Sequence, residues 1–215
     1  RAELRSIWAE VGSNDAIRVA ILTGAGDKAF STGSDLKKTM PPKESFAELA
    51  FGRTQSDSSI AGMKIAQPII CAINGHAVGG GLELALACDI RIASSTASFG
   101  LSEVRIGSIP SGGGTQRLPR AIGSSSAMLL LLTGDRIDAD EALRIGLISR
   151  ITPPMDLLAT AQSMARRIAS NAPLAVRAVK RLVREGMDMP LEGAIELERY
   201  AFGVLRDTQD RIEGR

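Results

Sequence analysis

GGGLELALACDI, residues 79–90, sets three glycines against a run in which nearly every side chain is apolar, with Glu83 standing inside that run. The apolar run reads as a buried helix, and the glycines before it as bare backbone leading into the helix start. An acid among apolar neighbours is costly to ionise, so residue 83 requires an electrostatic reason or a chemical task. Part of the reason is local. Glu83 falls in the first helical turn, where the dipole favours an anion by roughly 0.3–1 kcal/mol. Burial pulls the other way.

Working outward, the same arrangement recurs. RVAIL (18–22) reads as a buried strand, followed by TGAGDKAFSTGSD and a polar helix-like LKK. PIICAI (68–73) is a second strand, followed by NGHAVGGG and the helix LELALACD. DIRIAS (89–94) is a third, followed by FGLSEVRIGSIP and by SGGG opening TQRLPRAIG. Each unit runs strand, glycine turn, glycine-rich approach, helix. Repeated units of this kind predict an α/β core whose helix starts gather on one side.

Two glycine-flanked helix starts, near Ser34 and near Gly80, are either ordinary tight turns or a functional pair. Amides at helix starts point outward unpaired and carry partial positive charge. If the two converge, they can hold one oxygen that becomes negative during a reaction, at about 10²–10³ in rate per donor. Glu103, in FGLSEVRIG, is a second acid among apolar groups. It either pairs with Arg105 or faces the same pocket as Glu83. Two carboxyls on one pocket can add water across an activated double bond, one deprotonating the water and the other supplying the proton.

Other chemistries are poorly supported. TGAGDKA (23–29) matches the G-x-G-x-x-A dinucleotide pattern, but no long helix follows at once, and Pro41 and Pro42 interrupt the region where a ribose-binding acid belongs. The phosphate-loop and serine-elbow patterns are absent. The single histidine, His76, follows a glycine turn and reads as structural rather than as part of a triad. One histidine and two cysteines among 215 residues leave no zinc set, so no metal is expected. Cys71 and Cys88 lie in apolar runs and read as buried thiols of a reducing, cytoplasmic setting. A net charge of +2 calls for neither nucleic acid nor a membrane surface.

Beyond about residue 133 the composition shifts. Asp138 and Glu141 read as a capping-box start, with Gly146 closing that helix. Helices are predicted from Pro173 to Glu185 and from Pro190 to about Leu205. Ala175, Ala178, Val179, Leu182 and Val183 form the expected inward stripe of the first. Arg177, Lys180, Arg181 and Arg184 form its other face, either solvated or touching ligand phosphates or a neighbouring subunit. In the second, Ile195, Leu197, Tyr200, Phe202 and Leu205 exceed what one small face can hide, which predicts self-association.

FSTGSDLKK (30–38), INGHAVGGGLELALACDIRIAS (73–94) and FGLSEVRIGSIPSGGGTQRLPRAIG (99–123) closely resemble the enoyl-CoA hydratase/isomerase, or crotonase, superfamily, and LTGDRIDADEALRIGLISRI (132–151) resembles the segment that follows them there. The resemblance covers essentially the whole chain. It implies an α/β spiral of ββα units over 1–150 and a C-terminal helical region, 151–215, that builds homotrimers, usually paired into hexamers. It also implies early strands before Arg1 and a tail after Arg215.

For the site, the resemblance implies an acyl-CoA substrate and no cofactor. The Ser34 and Gly80 amides would bind the thioester oxygen, Glu83 would activate water, and Glu103 would protonate carbon. Backbone around Thr32, Ser34 and Leu36 would receive the adenine end of coenzyme A, with Lys28 toward its phosphates. Ser111 replaces a glycine whose amide helps hold the water. Residues 41–59 would line or cover the acyl pocket. Together these imply an enoyl-CoA hydratase. The alternatives are isomerisation, dehydration of the carnitinyl-CoA type, and a non-catalytic scaffold or RNA-binding relative. Intact Glu83 and Glu103, and the lack of a strong basic patch, argue against the non-catalytic scaffold or RNA-binding relative.

Overall fold

The structure, a computed structural model, describes residues 2–35, 60 and 62–214. Among the described residues eight strands form two sheets: β1 (Ala20–Thr23), β2 (Ala29–Ser31), β3 (Ile69–Ile73), β4 (His76–Val78), β5 (Ile90–Ser94), β6 (Ser98–Gly100), β7 (Ile137–Asp138) and β8 (Arg150–Thr152). The longer strands pair in the order β1-β3-β5-β8, all parallel, and the shorter ones in the order β2-β4-β6-β7, parallel except at the last pair. Each successive unit therefore adds one strand to each sheet and turns the chain one step along a spiral. The glycine-rich approaches read from the sequence are these short second strands. Three residues are too few to show a period of two, so neighbouring strands rather than local pattern define them.

Buried parallel strands need cover on both faces. In β3, Ile69, Cys71 and Ile73 face the main core, while Ile70 and Ala72 face a second cluster. The helices, in chain order, are α1 (Ala2–Ser13), α2 (Gly80–Ala87), α3 (Gly114–Ile122), α4 (Ser124–Thr133), α5 (Ala139–Arg144), α6 (Leu157–Ala169), α7 (Pro173–Gly186), α8 (Leu191–Leu205) and α9 (Gln209–Glu213). Leu157 and Ala161 of α6 close the second cluster. In α2 every residue from Gly81 to Ala87 is buried, as its apolar sequence requires. Cys71 and Cys88 are free and buried, and burial pushes the Cys71 thiol well up, away from reactivity.

The TGAG stretch is a tight connection between β1 and β2. Asn74 Oδ1 accepts from the Gly24 amide at 3.0 Å and its Nδ2 donates to Gly26 O at 2.8 Å, so these glycines close on protein rather than on a dinucleotide. His76 binds Ser98 Oγ through Nδ1 at 2.8 Å, a link between β4 and β6. The capping box at α5 is half made. Asp138 Oδ1 accepts from the Glu141 amide at 2.9 Å, but the Glu141 carboxylate runs forward to Arg144 at 2.6 Å.

Helix α7 departs in part from the expected orientation of its faces: Ala175, Ala178 and Leu182 are half-buried as expected, but the two valines are not. Val179 and Val183 are 60% and 61% exposed, while the Lys180 side chain is only 7% exposed. Lys180 and Arg184 both reach Asp89, at 2.8 and 2.9 Å, and Arg177 reaches Asp15 at 2.8 Å. The reason lies in Asp89, which starts the approach to β5 and also accepts from the Ile69 amide at 2.7 Å. A carboxylate held in that position needs cations, and α7 supplies them. Of the four basic residues only Arg181 stays on the surface, paired with Glu185 of its own helix.

Candidate active site

The site begins where β2 and β4 end. Gly79 sits before α2 with φ of 56°, a conformation that side chains rarely adopt. Gly81 presses against the Ser31 carbonyl more closely than any β-carbon allows. The middle glycine meets the other chain segment: a β-carbon added to Gly80 would stand 3.4 Å from Gly33 Cα, and one added to Gly33 only 2.9 Å from Gly80 N. The backbone carrying the Ser34 amide therefore passes directly against the start of α2. This segment, Thr32–Asp35, is exposed and not helical within the described residues.

Glu83 is 5% exposed, and its Oε1 accepts a 2.8 Å hydrogen bond from the Gly114 amide, the first residue of α3. The carboxylate thus lies at the starts of two helices, its own and α3, which supplies the electrostatic support the sequence left incomplete. Its other oxygen faces the Gly80 and Gly112 backbones. At the far end of α2, Arg184 donates to Ala87 O at 2.9 Å and Arg91 to Cys88 O at 3.2 Å, so cations cap the negative end of the same helix.

Glu103 opens a short 3-10 turn, Glu103–Ile106. Its Oε1 would be 3.1 Å from a β-carbon at Gly79, and its Oε2 is buried without a hydrogen-bond partner. The pairing with Arg105 is not made; Arg105 turns to Asp135 and to Thr133 O. Burial, aided by the negative charge of Glu83, holds the Glu103 carboxyl above the ordinary carboxylate range, against a hydrogen bond from its own backbone. The two acids thus lie on either side of Gly79–Gly80, one fixed by the Gly114 amide and the other biased toward keeping its proton.

Lys28 and Thr32 are exposed beside β2, and Ser111 is exposed at the turn before α3. Leu36 and the 41–59 stretch lie outside the described residues. Among the described residues no group of acids, cysteines and histidine could hold a metal, and no helix is long and apolar enough to cross a membrane. Gly112 and Gly114 were missed as site residues. The signal was available: SGGG before α3 repeats GGG before α2, and a second glycine run at a helix start calls for the same explanation.

The sequence profile described as enoyl-CoA hydratase/isomerase matches residues 1–215. The (E)-benzylidenesuccinyl-CoA hydratase of Thauera aromatica is 53% identical over 99% of this chain and 82% of its own. The crotonyl-CoA hydratase of Syntrophomonas wolfei is 42% identical over 99% and 81%. The crystal structure of an enoyl-CoA hydratase from Bacillus anthracis superposes with a TM-score of 0.91 at 41% identity, covering 99% of this chain and 82% of that one. The chain belongs to the enoyl-CoA hydratase/isomerase family, the crotonase superfamily, and has its fold. Its chemistry is accordingly enzymatic, of the coenzyme A thioester class that this family defines.

Proposed function

We propose that the chain is an enoyl-CoA hydratase that adds water to a 2-enoyl-CoA to give a 3-hydroxyacyl-CoA. The observation that carries this reading is the contrast between two acids around one glycine pair. Glu83 is fixed by the Gly114 amide, and Glu103 is buried without a partner. In this reading Glu83 removes a proton from water as its oxygen bonds to C3. The electrons of the double bond move to the thioester oxygen, where the Ser34 and Gly80 amides receive the developing charge. Glu103 then gives its proton to C2, and a proton returned through the two acids and solvent restores the starting state. The Ser111 amide helps hold the water, and Lys28, Thr32 and Leu36 receive coenzyme A. No redox group or metal takes part.

Residues 1–150 form the catalytic core in this account, and 151–215 the assembly region. The exposed apolar side chains of α8, such as Tyr200 and Phe202, would be covered in a trimer or hexamer. Dehydration of a 3-hydroxyacyl-CoA is the same reaction reversed and uses the same groups. Isomerisation needs only Glu103 and the amide pair. The test is the loss of enoyl-thioester absorbance with crotonyl-CoA, followed by identification of the 3-hydroxy product. Turnover without that product, or binding of RNA in place of acyl-CoA, would overturn the reading.

A further inference from the structure

Arg117 stands at the end of the first turn of α3, where the helix dipole disfavours a cation. It is half-buried, and no carboxylate among the described residues pairs with it. Its charge goes to a carbonyl instead: Nη1 donates to Gly112 O at 2.7 Å. Gly113 makes the room for this contact, because a β-carbon there would overlap Arg117 Nη1. The loop so held is the one that brackets Glu83. Gly114 donates to Glu83 Oε1 at 2.8 Å, and Gly112 closes on the other oxygen, where a β-carbon would stand 2.6 Å from Oε2. Gly114 is also seated against Pro110 and Leu101, 2.8 and 2.9 Å from the place of a β-carbon. The course of the 112–114 backbone therefore sets where the carboxylate lies.

We infer that Arg117 is a positioning residue for Glu83: its hydrogen bond to Gly112 O fixes the 112–114 backbone and, through the Gly114 amide, the carboxylate that activates water. The inference rests on the hydratase reading and deepens it. Glu103 has a separate support. Its turn is tied to the end of α4 by Ser102 Oγ, which donates to Gly134 O at 2.9 Å, and by Arg105, which donates to Thr133 O at 3.2 Å. Loss of the Arg117 contact should therefore impair the handling of water and spare the proton transfer at C2.

The experiment compares Arg117→Met and Arg117→Lys with the wild type in two assays. One is hydration of crotonyl-CoA. The other is deuterium incorporation at C2 of butyryl-CoA, a saturated thioester that can exchange its C2 proton but has no double bond to hydrate. A catalytic group misplaced by about 1 Å costs on the order of 10² in rate, so Arg117→Met should lose about 10²-fold in kcat for hydration. KM for crotonyl-CoA should stay within about twofold, because the amides that hold the thioester are untouched. Exchange into butyryl-CoA should stay within a few-fold of the wild type. Arg117→Lys keeps a charged donor for Gly112 O and should recover hydration to within about tenfold of the wild type. Thermal melts report the folding of each variant, and Arg117→Gln repeats the comparison should Arg117→Met fail to fold. Unchanged hydration in Arg117→Met, equal losses of hydration and exchange, a raised KM with kcat unchanged, or an Arg117→Lys as impaired as Arg117→Met would each overturn the inference and leave the hydratase reading standing. A wild type that does not hydrate crotonyl-CoA would overturn the hydratase reading, and the inference with it.

Discussion

The Glu83 carboxylate and the Gly114 amide are joined by a 2.8 Å hydrogen bond across 31 residues of sequence. This contact ties the start of α3 to the first turn of α2, and it explains how a 5%-exposed acid persists in an apolar helix. It also sets the two oxygens apart: one accepts from the Gly114 amide, and the other faces the Gly80 and Gly112 backbones.

If the Ser34 amide is one of the two donors, its side chain is dispensable and its N–H is not. Ser34→Ala should keep activity within a few-fold. Ser34→Pro should lose on the order of 10²–10³ in kcat, the cost of one oxyanion donor. Steady-state kinetics on crotonyl-CoA, with circular dichroism to confirm folding, checks this.

Glu103 carries a stability prediction with a definite sign. Its folded pKa is raised, burial being the main cause and Glu83 a further one, so its ionisation opposes folding. The stability associated with protonated Glu103 is complete below its unfolded pKa of about 4.3 and is lost as pH rises through the higher folded value. Glu103→Gln should therefore melt above the wild type at pH 7, and the difference should close toward pH 4. Thermal melts across that range measure it. A lower melting temperature at pH 7 contradicts the account.

The same coupling makes Glu83→Gln lower the Glu103 pKa toward its ordinary value, because one of the raising influences is removed. Carboxyl NMR titration of the two proteins reads this directly.

Helix α7 is held by buried charge as well as by half-buried apolar side chains, so its charge variants should separate sharply. Lys180→Met should cost roughly 3 kcal/mol, the low end for breaking a buried pair, since Arg184 still faces Asp89. Arg181→Met removes an exposed pair with Glu185 and should cost about 0.3–0.5 kcal/mol. Urea unfolding with equal m-values gives both numbers, and similar losses would contradict the buried role of Lys180.

The fold was legible because β3, β5 and α2 are long and apolar enough to declare themselves, and because the strand–glycine–helix unit repeats. The short strands β2, β4 and β6 were not, since three residues carry no period and gain their definition from partners far along the chain. The orientation of α7 was misread in part, for a related reason. Local amphipathicity favours Val179 and Val183 inward, and only the position of Asp89, 91 residues before Lys180 in number but 2.8 Å away in space, decides otherwise. Of the site, Glu83 and Glu103 stood out as acids among apolar neighbours. Gly112 and Gly114 did not, because a glycine shows its purpose only once the side chain it admits has been placed.

The most direct test of the two-acid account follows hydration and deuterium incorporation at C2 side by side in Glu83→Gln and Glu103→Gln. Each loss of a general acid or base should be about 10²–10⁴-fold. Glu83→Gln should abolish hydration yet keep measurable exchange at C2, because enolate formation needs only Glu103 and the amide pair. Glu103→Gln should lose both. Normal hydration by Glu103→Gln, or identical losses of the two activities in both variants, would contradict the division of labour drawn from the geometry.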